Sequence, residues 1–185
     1  MINVTLVPHN VKYAECMSAL SSETSVKEAL GLTNEQTSIE GTKDFITFIL
    51  EEEKQEKQFS RVILNEENKL IGVITLKDID HNYKTCHIGT WIGQSYWGKG
   101  YNELAKRYIL HTAFMKLQME YVFAGAKIKN IRSQKSQERL PYVTIGVEEE
   151  FPNELEKLEE QVGEPCILNV IKKSSFMEWY STTSS

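Results

Sequence analysis

Between residues 84 and 128 the hydrophobic pattern changes period twice, and this limits the possible folds more than any other feature of the chain. Residues 84–92 form an apolar strand, Gly98-Lys99-Gly100 turns the chain, and a helix leaves at once over residues 100–117, with Leu104, Ala105, Tyr108, Thr112 and Met115 along one side. Residues 121–128 return to strand, with Val122, Ala124, Ala126 and Ile128 alternating against Tyr121, Phe123 and Lys127. A strand, a crossing helix and a second strand give a parallel pair, since antiparallel neighbours need only a tight turn. The glycine turn also brings free backbone N–H groups and the positive end of a helix to one spot, an arrangement that seats a phosphate. A side chain at 98 or 100 would hold such a ligand away from the amides.

The flanking segments set the layers around this unit. A strand over residues 2–7 stops at Pro8, and Asn10 caps a helix carrying Val11, Ala14, Met17 and Leu20. Ser25-Val26-Lys27-Glu28 has the form of a capping box, Gly31 suits a left-handed helix end, and a longer helix covers residues 41–58 with Glu51-Glu52-Glu53-Lys54 on its solvated face. Residues 60–64 and 69–77, joined by Asn65-Glu66-Glu67-Asn68, read as a hairpin. After the parallel unit come a helix at 131–140 ended by Pro141, a strand near 143–149, an acidic helical insertion at 152–161, a strand at 166–172, and a partly frayed tail over 174–185. The expectation is one α+β domain over residues 1–185, a mixed sheet flanked by helices.

Composition narrows the function classes. With 21 basic and 26 acidic residues the net charge is -5, so nothing in the overall charge favours broad binding to a phosphate backbone and no nucleic-acid partner is expected. No apolar run nears the roughly 20 residues that cross a bilayer, and the N-terminus lacks the layout of a signal peptide, so a cytoplasmic protein with no membrane partner is expected. Cys16, Cys86 and Cys166 are far apart with no metal-ligand spacing, which suggests reduced core thiols and no metal. A P-loop would need Gly-Lys-Ser/Thr, whereas Lys99 stands between the glycines; a dinucleotide fingerprint would need a third glycine where Glu103 stands.

In Ile88-Gly89-Thr90-Trp91-Ile92, Trp97-Gly98-Lys99-Gly100-Tyr101 and Asn130-Ile131-Arg132-Ser133, the sequence resembles the GNAT N-acetyltransferases, and among them the RimJ/RimL-like branch named after ribosomal-protein N-terminal acetyltransferases. The family signature Gln/Arg-x-x-Gly-x-Gly/Ala reads Ser95-Tyr96-Trp97-Gly98-Lys99-Gly100, keeping both glycines and departing at its first position. The resemblance implies a mostly antiparallel sheet with a central splayed parallel pair, and acetyl-coenzyme A as cosubstrate. Pantetheine would then pair against Trp91, Ile92 and Gly93, and the diphosphate would lie on the amides of Trp97, Gly98, Lys99, Gly100, Tyr101 and Asn102. It further implies that Asn130 contacts the pantetheine arm and that Ser133 lies near the thioester sulfur, where its hydroxyl could protonate the departing thiolate. Where many members carry Glu on the strand, this chain has His87, and an imidazole can take the proton of an attacking amine. The implied reaction is acetyl transfer by direct attack of a primary amine, either a protein N-terminal α-amine or a small-molecule amine; a homodimer is left open.

Read from the residues alone, Asn130 with Ser133 also fits a helix cap, and His87 a structural histidine. Tyr96, Trp97 and Tyr101 fit either packing or the wall of a ligand entrance, and His9, His81 and His111 have no assigned role. The competing reading, motivated by Ser95 and the missing Glu, is a coenzyme A-binding module without catalysis.

Overall fold

The computed structural model describes residues 1–183. Its strands are β1 (Val4–Val7), β2 (Phe59–Asn65), β3 (Leu70–Asp80), β4 (Thr85–Ile92), β5 (Tyr121–Lys127), β6 (Val143–Thr144) and β7 (Cys166–Lys172). They form one sheet in the order β1-β2-β3-β4-β5-β7-β6. The pairs β1–β2, β2–β3, β5–β7 and β6–β7 are antiparallel, while β4 and β5 run parallel. The helices are α1 (Ala14–Ser21), α2 (Thr24–Leu30), α3 (Asn34–Thr37), α4 (Ile39–Lys54), α5 (Tyr101–Met115), α6 (Ile131–Glu138), α7 (Pro152–Val162) and α8 (Lys173–Thr183). This is the mixed, mostly antiparallel sheet with one parallel pair that the sequence predicts. The parallel register covers Thr85–Ile88 with Tyr121–Ala124, although β4 continues to Ile92 and β5 to Lys127.

The chain divides into two compact units, and the division cuts β4 between Ile88 and Gly89, where that register ends. The first unit holds residues 1–79 and 89–111. Its hairpin turn is fixed by Asn65, whose side-chain oxygen accepts from the N–H groups of Glu67 and Lys69 at 3.1 and 2.9 Å. Ala14, Met17 and Ile46 from α1 and α4 pack with Val62, Leu64, Leu70 and Val73 of the hairpin, and Trp91 leans on the same cluster. Two expectations fail here. The capping box lies at Thr33 and Gln36, not at Ser25 and Glu28, because α2 is capped two residues earlier, at Glu23, and the Ser25 hydroxyl donates instead to Gln94 Oε1 at 2.9 Å. Cys16 is exposed rather than a core thiol, since α1 turns Ala14 and Met17 inward and leaves position 16 outside; Cys86 and Cys166 are buried.

The second unit holds residues 80–88 and the chain from Thr112 onward. Phe123, Leu168, Val170 and Cys166 form its core with Val147 and Leu158. The strand expected at 143–149 shrinks to Val143–Thr144: Gly146 takes φ +70° and turns its N–H to Asn169 Oδ1 at 3.0 Å, which breaks the regular ladder before a single further bond from Val147 N–H to Leu168 O at 2.9 Å. The tail is a helix through Thr183 rather than a frayed end, because Phe176 is fully buried among Phe114, Tyr142, Trp179 and Tyr180; residues 184 and 185 lie outside the described residues. The inner row of α5 is also offset from the expected one. Ala105, Ile109, Leu110, Ala113 and Phe114 are buried, whereas Tyr108 and Met115 are exposed, since the bulk of Ile109, Leu110 and Phe114 decides which stripe turns inward.

Candidate active site

The first unit gathers nine of the expected site residues into one turn. β4 ends at Ile92, Gly93 bonds through its N–H to Ile71 O at 2.8 Å and through its carbonyl to Tyr96 N–H at 3.0 Å, and Gln94–Tyr96 make a single 3-10 turn. Trp97 folds the turn back on the strand by donating its indole N–H to Ile92 O at 2.7 Å. Both backbone groups of Gly93 are thus spent inside the chain. Its own reason is steric, because a Cβ there would stand 2.8 Å from Leu20 Cδ2 and 3.1 Å from Glu23 Oε1.

Gly98 and Gly100 adopt φ of +72° and +89°, the left-handed region that costs other residues about 1–2 kcal/mol. A Cβ added at Gly98 would meet no atom within 4 Å, so the space over that turn is open. At Gly100 it would come 2.9 Å from Ile2 Cδ1. The 15-residue helix α5 starts at the next residue, and its first-turn N–H groups have no partner within the helix. Lys99 is exposed, with its ammonium 5.8 Å from the centre of the Tyr96 ring. Asn102 keeps a buried side-chain oxygen that lacks a hydrogen-bond partner among the described residues. Tyr101 is anchored at its tip: its hydroxyl donates to both Glu66 oxygens at 3.0 and 3.1 Å. Burial, then Glu66, raises its phenol above the ordinary value.

The second unit holds the other three. His87 is 3% exposed, its Nε2 lies 2.6 Å from Glu154 Oε2, and its ring packs at 5.3 Å on Phe123. The acidic insertion therefore supplies a carboxylate to the strand position at which the family pattern has its own. Lys157 in turn bonds Glu154 Oε1 at 3.1 Å. Asn130 is a working helix cap, its oxygen accepting from Ser133 N–H at 3.2 Å. The Ser133 hydroxyl oxygen lies 3.5 Å from Gln137 Nε2. His87 and Ser133 are thus held by different partners.

Four further polar groups stand out in the structure, of which the sequence singled out His9 alone, without a role. Gln137 and Asn169 are buried amides bonded to each other at 2.7 Å. Lys106, in the inner row of α5, has its ammonium lowered to about 8 by burial, partly offset by Glu103. His9 is buried with Nε2 2.8 Å from Ser60 Oγ. Lys106 and Gln137 left a local signal through their i, i+4 spacing from Asn102 and Ser133; Asn169 and His9 depend on pairings between distant segments. Among the described residues no helix is long and apolar enough to cross a membrane, and no group of three or more His, Cys, Asp or Glu side chains could hold a metal ion.

Comparison with known proteins gives a consistent result. YdaF of Bacillus subtilis (strain 168), which carries the name of a ribosomal N-acetyltransferase, is 30% identical over 80 residues, 43% of this chain and 44% of its own length. The chain thus spans less than half of that relative. Protein p20 of Bacillus licheniformis, named an uncharacterized N-acetyltransferase, is 25% identical over 78% of this chain and 81% of its own length. Mycobacterium smegmatis RimJ in complex with CoA-disulfide superposes with a TM-score of 0.77 over 97% of this chain and 89% of the other at 14% identity, a likeness of fold. The model of the acetyltransferase (GNAT) domain matches residues 3–142, from β1 through the glycine turn and the Asn130–Ser133 cap. The chain belongs to the GNAT acetyltransferase family.

Proposed function

We propose that this protein transfers an acetyl group from acetyl-coenzyme A to a primary amine, a protein N-terminal α-amine or a small-molecule amine, by direct attack. The observation that carries the reading is the Gly98–Gly100 turn. Two left-handed glycines, one facing open space, precede the first turn of a 15-residue helix. Backbone amides at such a place suit a diphosphate, and a glycine without a neighbour within 4 Å is there for conformation and for close approach, not for packing. The cofactor would be held by Trp97–Asn102 and by the backbone of Trp91 and Ile92, with Lys99 adding charge; Gly93 would shape the turn. The names of the two curated relatives, one a ribosomal N-acetyltransferase and the other an N-acetyltransferase, support the amine acceptor.

In this reading His87 takes the proton of the amine, with Glu154 holding the imidazole, and Ser133 gives a proton to the leaving thiolate. Asn130 orders the start of α6 by capping the Ser133 N–H.

Gly98→Ala tests the cradle. The methyl group has room in the protein, so the fold should persist at a cost of about 1–2 kcal/mol. Coenzyme A affinity by calorimetry should fall roughly tenfold or more, the loss of one charge-assisted hydrogen bond. Unchanged affinity in the folded variant would move the cradle elsewhere. Release of coenzyme A with a panel of peptide amines, polyamines and aminoglycosides separates the enzyme from a binding module. His87→Gln, similar in size and unable to titrate, should slow that release by about 10²-fold or more if the imidazole is the base; turnover equal to the parent's would leave His87 a structural role.

A further inference from the structure

We propose that Gln137 is a positioning residue that turns the Ser133 hydroxyl proton outward and prepares it for donation, through a chain of buried hydrogen bonds whose direction is fixed from both ends. The inference rests on the reading of Ser133 as proton donor to the thiolate. At one end, Gly146 N–H can only donate, so the Asn169 atom 3.0 Å away is the oxygen Oδ1. The Asn169 amide must then present Nδ2 to Gln137, and the Gln137 atom 2.7 Å from it must be the acceptor Oε1. At the other end, Gly125 O can only accept, so the Gln137 atom 3.0 Å from it must be the donor Nε2. Both ends agree, and no amide in the chain is free to flip.

Gln137 Nε2 has two hydrogens. One goes to Gly125 O and the other faces Ser133 Oγ at 3.5 Å. An oxygen that accepts from this side keeps its own proton for another partner. The same N–H stabilises negative charge as it builds on Oγ, which makes the hydroxyl a better acid. Asn130 supports the geometry by fixing the Ser133 backbone N–H. Gln137 and Asn169 are 4% and 1% exposed, so water does not compete for these bonds.

The step balances without a further reagent. His87 takes one proton from the incoming ammonium and passes it to solvent, the freed lone pair forms the C–N bond, the C–S pair leaves with sulfur, sulfur takes the Ser133 proton, and Oγ is reprotonated by the second proton of the newly bonded nitrogen.

The test is a double-mutant cycle in the acetyl-coenzyme A and amine assay. Gln137→Met should lower kcat about tenfold with the KM for acetyl-coenzyme A unchanged, and should have no further effect in a Ser133→Ala background. Ser133→Ala alone should lower kcat about 10²-fold. Equal losses from Gln137→Met in both backgrounds, or no loss, overturn the proposal. If the methionine variant does not fold, Gln137→Glu is the same size and, whether ionised or protonated, has no N–H left for Ser133 Oγ once Gly125 O is met. Its kcat should fall too, and parental turnover overturns the proposal. Turnover unchanged in Ser133→Ala removes the role of Ser133 and this inference with it, whereas no coenzyme A release by the parent removes the acetyltransferase reading itself.

Discussion

At pH 7 a Lys106→Met variant is expected to exceed the parent in stability by about 3 kcal/mol, and to lose the parent's gain in stability at alkaline pH. Lys106 is 8% exposed, and burial lowers its ammonium to about 8, with Glu103 restoring part of the shift. In the unfolded chain a lysine titrates near 10.4. Between these two values the unfolded state keeps a proton that the folded state has released, so stability rises with pH from about 8 to about 10.4. Below pH 8 both states are charged, and the folded one bears the full cost of holding the ammonium away from water. At 1.36 kcal/mol for each pKa unit, the gap amounts to about 3 kcal/mol. Methionine has nearly the length of lysine, so the row of Ala105, Ile109 and Leu110 stays filled. Urea unfolding at pH 7 and pH 10 measures both effects. Equal stability at pH 7, or the same alkaline rise in both proteins, would show that the ammonium reaches water.

Lys106 also marks where reading a sequence stops. Strands β5 and β7, the hairpin and the glycine turn were legible because each follows from a local pattern: alternation, turn residues, or two glycines before a helix. The turn proposed as the cradle was legible for the same reason, since its residues are contiguous from Trp91 to Asn102. The stripe of α5 was misread because Tyr108 and Met115 are as apolar as Ile109 and Leu110, and only the packed structure chooses between adjacent stripes. Position 143–149 looked like a full strand, yet Gly146 leaves the ladder to serve Asn169, which lies 23 residues away. The partners of the candidate catalytic groups are of this distant kind. Glu154 reaches His87 across 67 residues, and Asn169 reaches Gln137 across 32. No periodicity encodes such pairs, so the sequence could name His87, Asn130 and Ser133 but neither Glu154 nor the Asn169 that orients Gln137.

Between pH 6.5 and pH 4 the protein should lose about 3 kcal/mol of stability through His9 alone. The ring is buried, with Nε2 2.8 Å from Ser60 Oγ, which in turn lies 2.7 Å from Thr75 Oγ1, while Nδ1 has no partner among the described residues. Phe45 meets the ring edge-on at 5.6 Å. Burial first, and then the positive charge of Arg61, lower the imidazole to about 4, while Glu53, which pairs with Arg61 at 2.9 Å, offsets part of the shift. The folded pKa thus lies below the unfolded value of about 6.5. As pH falls through 6.5 the unfolded chain takes a proton that the folded chain refuses until about 4, so stability that is complete above 6.5 drains away across this window. Carboxylates held low in the folded state, such as Glu164 beside Lys127 and Lys129, begin to cost stability only below their ordinary value of about 4.3. Unfolding at pH 7 and pH 4.5 therefore isolates the histidine. His9→Gln keeps an amide that can reach Ser60 but cannot titrate, and its stability should change little between the two pH values. A decline as steep as the parent's would assign the acid loss to other groups.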